Sequence, residues 1–97
     1  MHAAAFRIEL RIRDARSLKE KRHVVKSMIS QLSSNHNVAV AEVDDQDKWN
    51  KATLGVVAVG PQAGHVTRTL HTAKRYLDGR PEVEVLRVDE GHWEGIG

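Results

Sequence analysis

Two groups of cations fall at helical spacing, and the chemistry they would serve is phosphate binding. Projected at 100° per residue, Lys19, Arg22, His23 and Lys26 fall together, away from a seam of Leu18, Val25 and Ile29. Arg68, His71 and Arg75 repeat the arrangement farther along the chain. Arg13 and Arg16 lead into the first group, and the free backbone amides of a helix start add partial positive charge, so a phosphate-binding corner is expected there. Lys21 lies inside the apolar arc, where a charge is costly unless its head snorkels out near the helix start. The candidate nucleic-acid-binding residues are therefore Arg13, Arg16, Lys19, Lys21, Arg22, Lys26, Arg68 and Arg75. A merely solvated helix face would carry the same residue types.

Other chemistry finds less support. Asp44, Asp45 and Asp47 offer the oxygens a hard cation wants, but their spacing lacks the glycine and distal glutamate of a calcium loop. They read as turn residues, with Asp47 able to cap a short turn containing Trp49 and with Trp49 anchoring the connection to the core. His65 and His71 are six apart and share no helix face as a metal pair would, while His2, His23, His36 and His92 are isolated. The absence of cysteine excludes disulfides, thiol nucleophiles and cysteine-ligated metals. Gly60-Pro-Gln-Ala-Gly64 has neither the Lys-Ser/Thr of a P-loop nor dinucleotide-binding glycine spacing. No Ser-His-Asp or Ser-Lys arrangement stands out. The expectation is a protein with no catalytic residue, metal or cofactor, and not an enzyme.

These side chains need a scaffold, and the sequence outlines one. Ala4, Phe6, Ile8, Leu10 and Ile12 alternate with Arg7, Glu9, Arg11 and Arg13, the period of a strand with one buried face. Ser17 with Glu20 matches a capping box, and Leu18, Val25, Met28, Ile29 and Leu32 continue as one helical face. Asn35-His36-Asn37 supplies the stop, where Asn tolerates left-handed geometry. Val38 to Val43 and Lys51 to Val59 read as strands joined by a wide, acidic connection. Ala63, Val66, Leu70, Ala73 and Leu77 keep helical spacing until Gly79 and Pro81, and Val83, Val85, Leu86 and Val88 make a last strand. Strand, helix, strand, strand, helix, strand predicts a ferredoxin-like α+β domain over residues 1–89, with two helices on one face of a four-stranded antiparallel sheet. Residues 90–97 are expected to form a flexible tail.

Charge and apolar surface then bear on partners. The net charge is only +2, yet residues 7–26 hold eight basic and three acidic side chains, and residues 68–80 hold four and one. The balancing carboxylates cluster between Glu42 and Asp47 and between Glu82 and Glu94, so the molecule is strongly dipolar. The early charge at the N-terminus does not suit a signal peptide and no apolar run reaches membrane-spanning length, which predicts a cytoplasmic protein with no membrane partner. One face of the sheet would be uncovered in a monomer, and residues 52–59 are apolar on both sides, so a homodimer through that face or the Val38–Val43 edge is expected. Aromatics make up 4% of the chain and none falls on that face, against an RNA-recognition module.

Three stretches also carry a likeness to known proteins: Ala15-Arg-Ser-Leu-Lys-Glu-Lys-Arg22, then Val40-Ala-Glu-Val43 with Gln46-Asp47 and Trp49, then Ala52-Thr-Leu-Gly55. In this order and spacing the chain resembles the YlxP-like family of small bacterial proteins, a domain of unknown function, from Phe6 to about Val88. The resemblance implies a ferredoxin-like fold, no established catalytic residues and, from the transcription and translation genes that neighbour the family's own, a role around ribosome assembly or RNA. Ser17, Leu18, Lys19, Lys21, Arg22, Gln46, Asp47 and Trp49 carry over only as marks of family identity.

The leading expectation is a non-catalytic RNA- or ribosome-associated protein. Its rivals are a dimeric protein-interaction module using the open sheet face or the acidic hairpin with Asp45, Asp47 and Trp49, and a ferredoxin-like dimer binding a small ligand between subunits. A metal enzyme stands behind both.

Overall fold

In the computed structural model, which describes residues 1–94, the elements follow in the order β1 (His2–Ile12), α1 (Leu18–Asn35), β2 (Ala39–Asp44), β3 (Lys51–Gly60), α2 (Ala63–Asp78) and β4 (Val83–Glu94). The strands form one antiparallel sheet in the order β2-β3-β1-β4, the ferredoxin-like arrangement that the element pattern predicts. The alternation in β1 does what its period dictates. Phe6, Ile8, Leu10 and Ile12 are buried with Leu54 and Val56 of β3, Val25, Met28 and Leu32 of α1, and Ala73 and Leu77 of α2. Helix α1 packs over β2, and α2 over β1, β3 and β4. Among the described residues no layer covers the opposite face of the sheet. Among the described residues no helix is long and apolar enough to cross a membrane.

Three local expectations change. The polar residues 90–94 are not a loose tail: β4 runs on to Glu94 and pairs with the start of β1, from Phe6↔Glu90 to His2↔Glu94. Residues 95–97 lie outside the described residues. The end of α1 does not use a left-handed Asn, because His36 caps it in extended geometry and its N–H donates to the Leu32 carbonyl at 3.0 Å. The non-glycine residues with positive φ are instead Asp14 and Asp45, both at 62°, where Asp is tolerated better than most side chains. Each sits directly where a strand gives way to a turn.

At the start of α1 the Ser17 hydroxyl accepts from the Glu20 amide at 3.1 Å. The Glu20 carboxylate reaches back to the Arg16 amide at 2.5 Å, one residue earlier than in a standard capping box. Ser17 and Glu20 thus take up part of the helix start that the sequence reserves for a phosphate. An acidic side chain already complements the dipole there.

Candidate functional site

Lys21 decides the geometry of the site. Its side chain is fully buried (0% exposed), and its ammonium donates to Glu42 Oε2 at 2.7 Å, to the Asp45 carbonyl at 2.9 Å and to the Gln46 carbonyl at 3.3 Å. Three acceptors for three N–H groups is full satisfaction for an ammonium. Lys21 therefore does not snorkel and cannot contact a phosphate. It ties the first turns of α1 to the end of β2 and the turn after it.

Asp45 is likewise turned inward. Buried beside Thr53, it accepts from the Thr53 hydroxyl at Oδ2 (2.6 Å), and Lys48 Nζ lies 3.0 Å from Oδ1. The Thr53 hydrogen bond first, and Lys48 with it, hold its carboxyl below the usual carboxylate range. Asp45 is a turn-forming residue and not a partner contact. Asp44 points elsewhere, towards Arg7 at 3.4 Å, and Asp47 is exposed. Trp49 is 52% exposed and anchors nothing, because the clamp on residues 45 and 46 fixes this loop without it. Asp47 and Trp49 remain available as surface.

The outward side of α1 keeps its predicted character. Lys19, Arg22, His23 and Lys26 are exposed and border a groove of about 630 Å³ between α1 and β2, with Val25, Ile29, Glu42 and Gln46 as its remaining lining. Arg13 and Lys19 border a neighbouring depression that also includes Asp14, Glu20 and Glu82. Arg16 is exposed in the turn before the helix. Arg68 of α2 does not extend this surface. Arg68 lines a depression with Asn35, His36 and Asn37, at the far end of α1, and Arg75 is exposed on α2.

Pairing separates the cations more sharply than position does. Of fifteen lysines and arginines, Arg7, Arg11, Lys21, Lys48, Lys51, Arg80 and Arg87 meet a carboxylate within ion-pair distance. Apart from Lys21, these seven lie on strands or in turns. The Lys51 ammonium, for example, sits 2.9 Å from Glu9, which holds the Glu9 carboxyl low and pushes Lys51 up. Arg13, Arg16, Lys19, Arg22, Lys26, Arg68, Lys74 and Arg75 have no such partner among the described residues, and all eight belong to the helices or the turn leading into α1. The sequence reading missed Lys74, whose side chain lies on the β4 side of α2 near Glu90 and His92.

The structure also explains why the first two stretches of the resemblance go together. Lys21 from one binds Glu42 and the Gln46 carbonyl from the other, and Lys19 and Arg22 border the same groove as Gln46. The family described as Protein of unknown function (DUF503) matches residues 4–90. The chain is also 34% identical to the uncharacterized protein YlxP of Bacillus subtilis (strain 168) over 73 residues, which cover 75% of this chain and 79% of that one.

Two measurements test the clamp. Lys21→Met keeps the volume but leaves Glu42 and two carbonyls without their donor. It should lower the stability measured by chemical denaturation by about 2–4 kcal/mol, short of a fully buried pair because Glu42 retains some access to water. Thr53→Val removes the hydroxyl from Asp45 and should cost about 1–2 kcal/mol at pH 7. Since the folded pKa of Asp45 is depressed, its contribution is complete above the unfolded value of about 4 and is lost as pH falls through the folded one. The difference between Thr53→Val and the parent chain should therefore shrink in denaturation curves taken below about pH 4.

Proposed function

This chain belongs to the DUF503 family of proteins of unknown function, and from its own surface we propose that it is a non-catalytic protein that associates with structured RNA or a ribosomal particle through phosphate contacts along α1. The observation that carries the reading is the segregation of unpaired cations. Lys19, Arg22 and Lys26 flank one groove with no carboxylate in ion-pair range among the described residues, while every strand cation is matched. Pairing on the strands gives those cations local partners. Unpaired cations on a helix face can neutralise phosphates, and so release the counterions condensed on a nucleic acid, without first breaking an ion pair within the protein. Such contacts position a protein without reading sequence.

A second surface supports self-association. On the uncovered sheet face Val43, Val57, Val59 and Trp93 are 49%, 45%, 50% and 51% exposed around the small Ala5, Gly55 and Gly91. Trp93 corrects the expectation that no aromatic falls on this face, because β4 runs on past Glu90 and pairs Trp93 with Ala3. The charged end of that face is occupied with its own pairs, Arg7 and Lys51 with Glu9, and Arg87 with Asp89. A second copy covering the apolar end would leave α1 free, since the helices lie on the other face.

Charge reversal at Arg22 and Lys26 should weaken binding to ribosomal subunits and structured ribosomal RNA, with an unchanged denaturation midpoint. It should also flatten the log–log salt slope by roughly 0.7–0.9 per lost contact. Equal binding before and after the change defeats the reading. For the sheet face, sedimentation should show a dimer that Val57→Lys converts to monomer; a parent chain that sediments as a monomer at high concentration removes the second surface.

A further inference from the structure

We propose that the groove between α1 and β2 holds one unpaired guanine of the bound RNA, with the Glu42 carboxylate accepting from the base's N1–H and N2 amino group. This rests on the RNA reading and names the nucleotide that its groove would select. The observation behind it is a free carboxylate oxygen in a cationic groove: the buried Lys21 accounts for an acid at residue 42 but occupies only one of its two oxygens. Glu42 borders the same groove as Lys19, Arg22 and Lys26. One of its oxygens, Oε2, is held by the buried Lys21 ammonium at 2.7 Å, and Oε1 has no hydrogen-bond partner among the described residues. Lys21 fixes the carboxylate in place, so it cannot swing away from an approaching nucleic acid.

A carboxylate only accepts hydrogen bonds. Guanine offers two adjacent donors on its Watson–Crick edge. Adenine and cytosine set one amino group beside a ring acceptor, and uracil sets one N–H between two carbonyls, so each of these turns a lone pair towards the carboxylate. The rest of the groove suits a base with its phosphate. Buried Val25 and half-buried Ile29 give an apolar floor for the ring, and the cations on the rim take the phosphates. Its volume of about 630 Å³ lies within the usual range for small-molecule sites, roughly 300–1,000 Å³. Unpaired bases of loops and bulges are the parts of an RNA whose Watson–Crick edge is open to a protein. An aliphatic floor for a single base also needs no row of aromatic rings, which this chain does not have.

The test uses the full chain and an RNA hairpin with one bulged nucleotide, followed by fluorescence anisotropy across a salt series. With guanine at the bulge, binding should be about tenfold tighter than with adenine, cytosine or uracil. Inosine, which lacks only the N2 amino group, should lose part of that advantage. Glu42→Gln should erase the preference and leave the salt slope unaltered. The inosine comparison uses the unaltered protein, so it stands even if Glu42→Gln fails to fold. Equal binding of all five hairpins with a steep salt slope overturns the guanine site and leaves the phosphate reading intact. No binding to any hairpin, nor to ribosomal RNA, at low salt overturns both.

Discussion

An ammonium group taken completely out of water has to be matched by protein acceptors, and Lys21 imposes that demand on everything around it. Desolvating such an ion costs several kcal/mol, so its three partners are close to obligatory. They come from Glu42 at the end of β2 and from the carbonyls of residues 45 and 46, more than twenty residues away in the chain. Holding both carbonyls towards one point requires the turn that Asp45 makes at φ 62°. The Asp45 side chain is then fixed by Thr53 and Lys48. The register between α1 and the β2–β3 loop thus follows from one buried charge. So does the width of the groove beside it, because Glu42 and Gln46 form its far wall.

The electrostatics of the molecule divide along the sheet. On the open face acids and bases alternate at short range and satisfy one another, each exposed pair contributing little to stability. Above the other face the helix cations other than Lys21 have no carboxylate within ion-pair distance among the described residues. A small formal charge therefore coexists with a strong one-sided field, which acts on association and not on the fold. The two faces thus differ in both charge and apolar character.

Much of this was legible in the sequence, and the misses have physical causes. Alternation from Ala4 to Ile12 and the apolar periodicity of residues 63–77 revealed β1 and α2, because both are amphipathic and pack one face. The exposed stripe of α1 followed from the same periodicity. Lys21 was visible as an anomaly in the apolar arc, but its partners were not, since a contact from residue 21 to residues 42–46 depends on tertiary structure. Trp49 looked like a core residue on size alone, and the loop it sits in is held by the Lys21 clamp instead. Residues 90–94 looked loose because an edge strand beyond the helices has little to bury, and its partner strand lies at the opposite end of the sequence. Glu42 read as part of an acidic hairpin, and only the burial of Lys21 shows that it belongs with the basic helix.

That pairing of the two ends of the chain has a consequence for synthesis. β1 is a central strand, bordered by β3 on one side and by β4 on the other. It is made before the other five elements of the domain, and the strand that completes its second edge is made after them. Helix α1 and the β2–β3 hairpin have their local partners early, but β1 must wait with one edge open until β4 has emerged. Such end-to-end pairing raises contact order and delays closure of the sheet. During synthesis this domain is thus unfinished, with an unpaired strand edge beside its core, until β4 has been made.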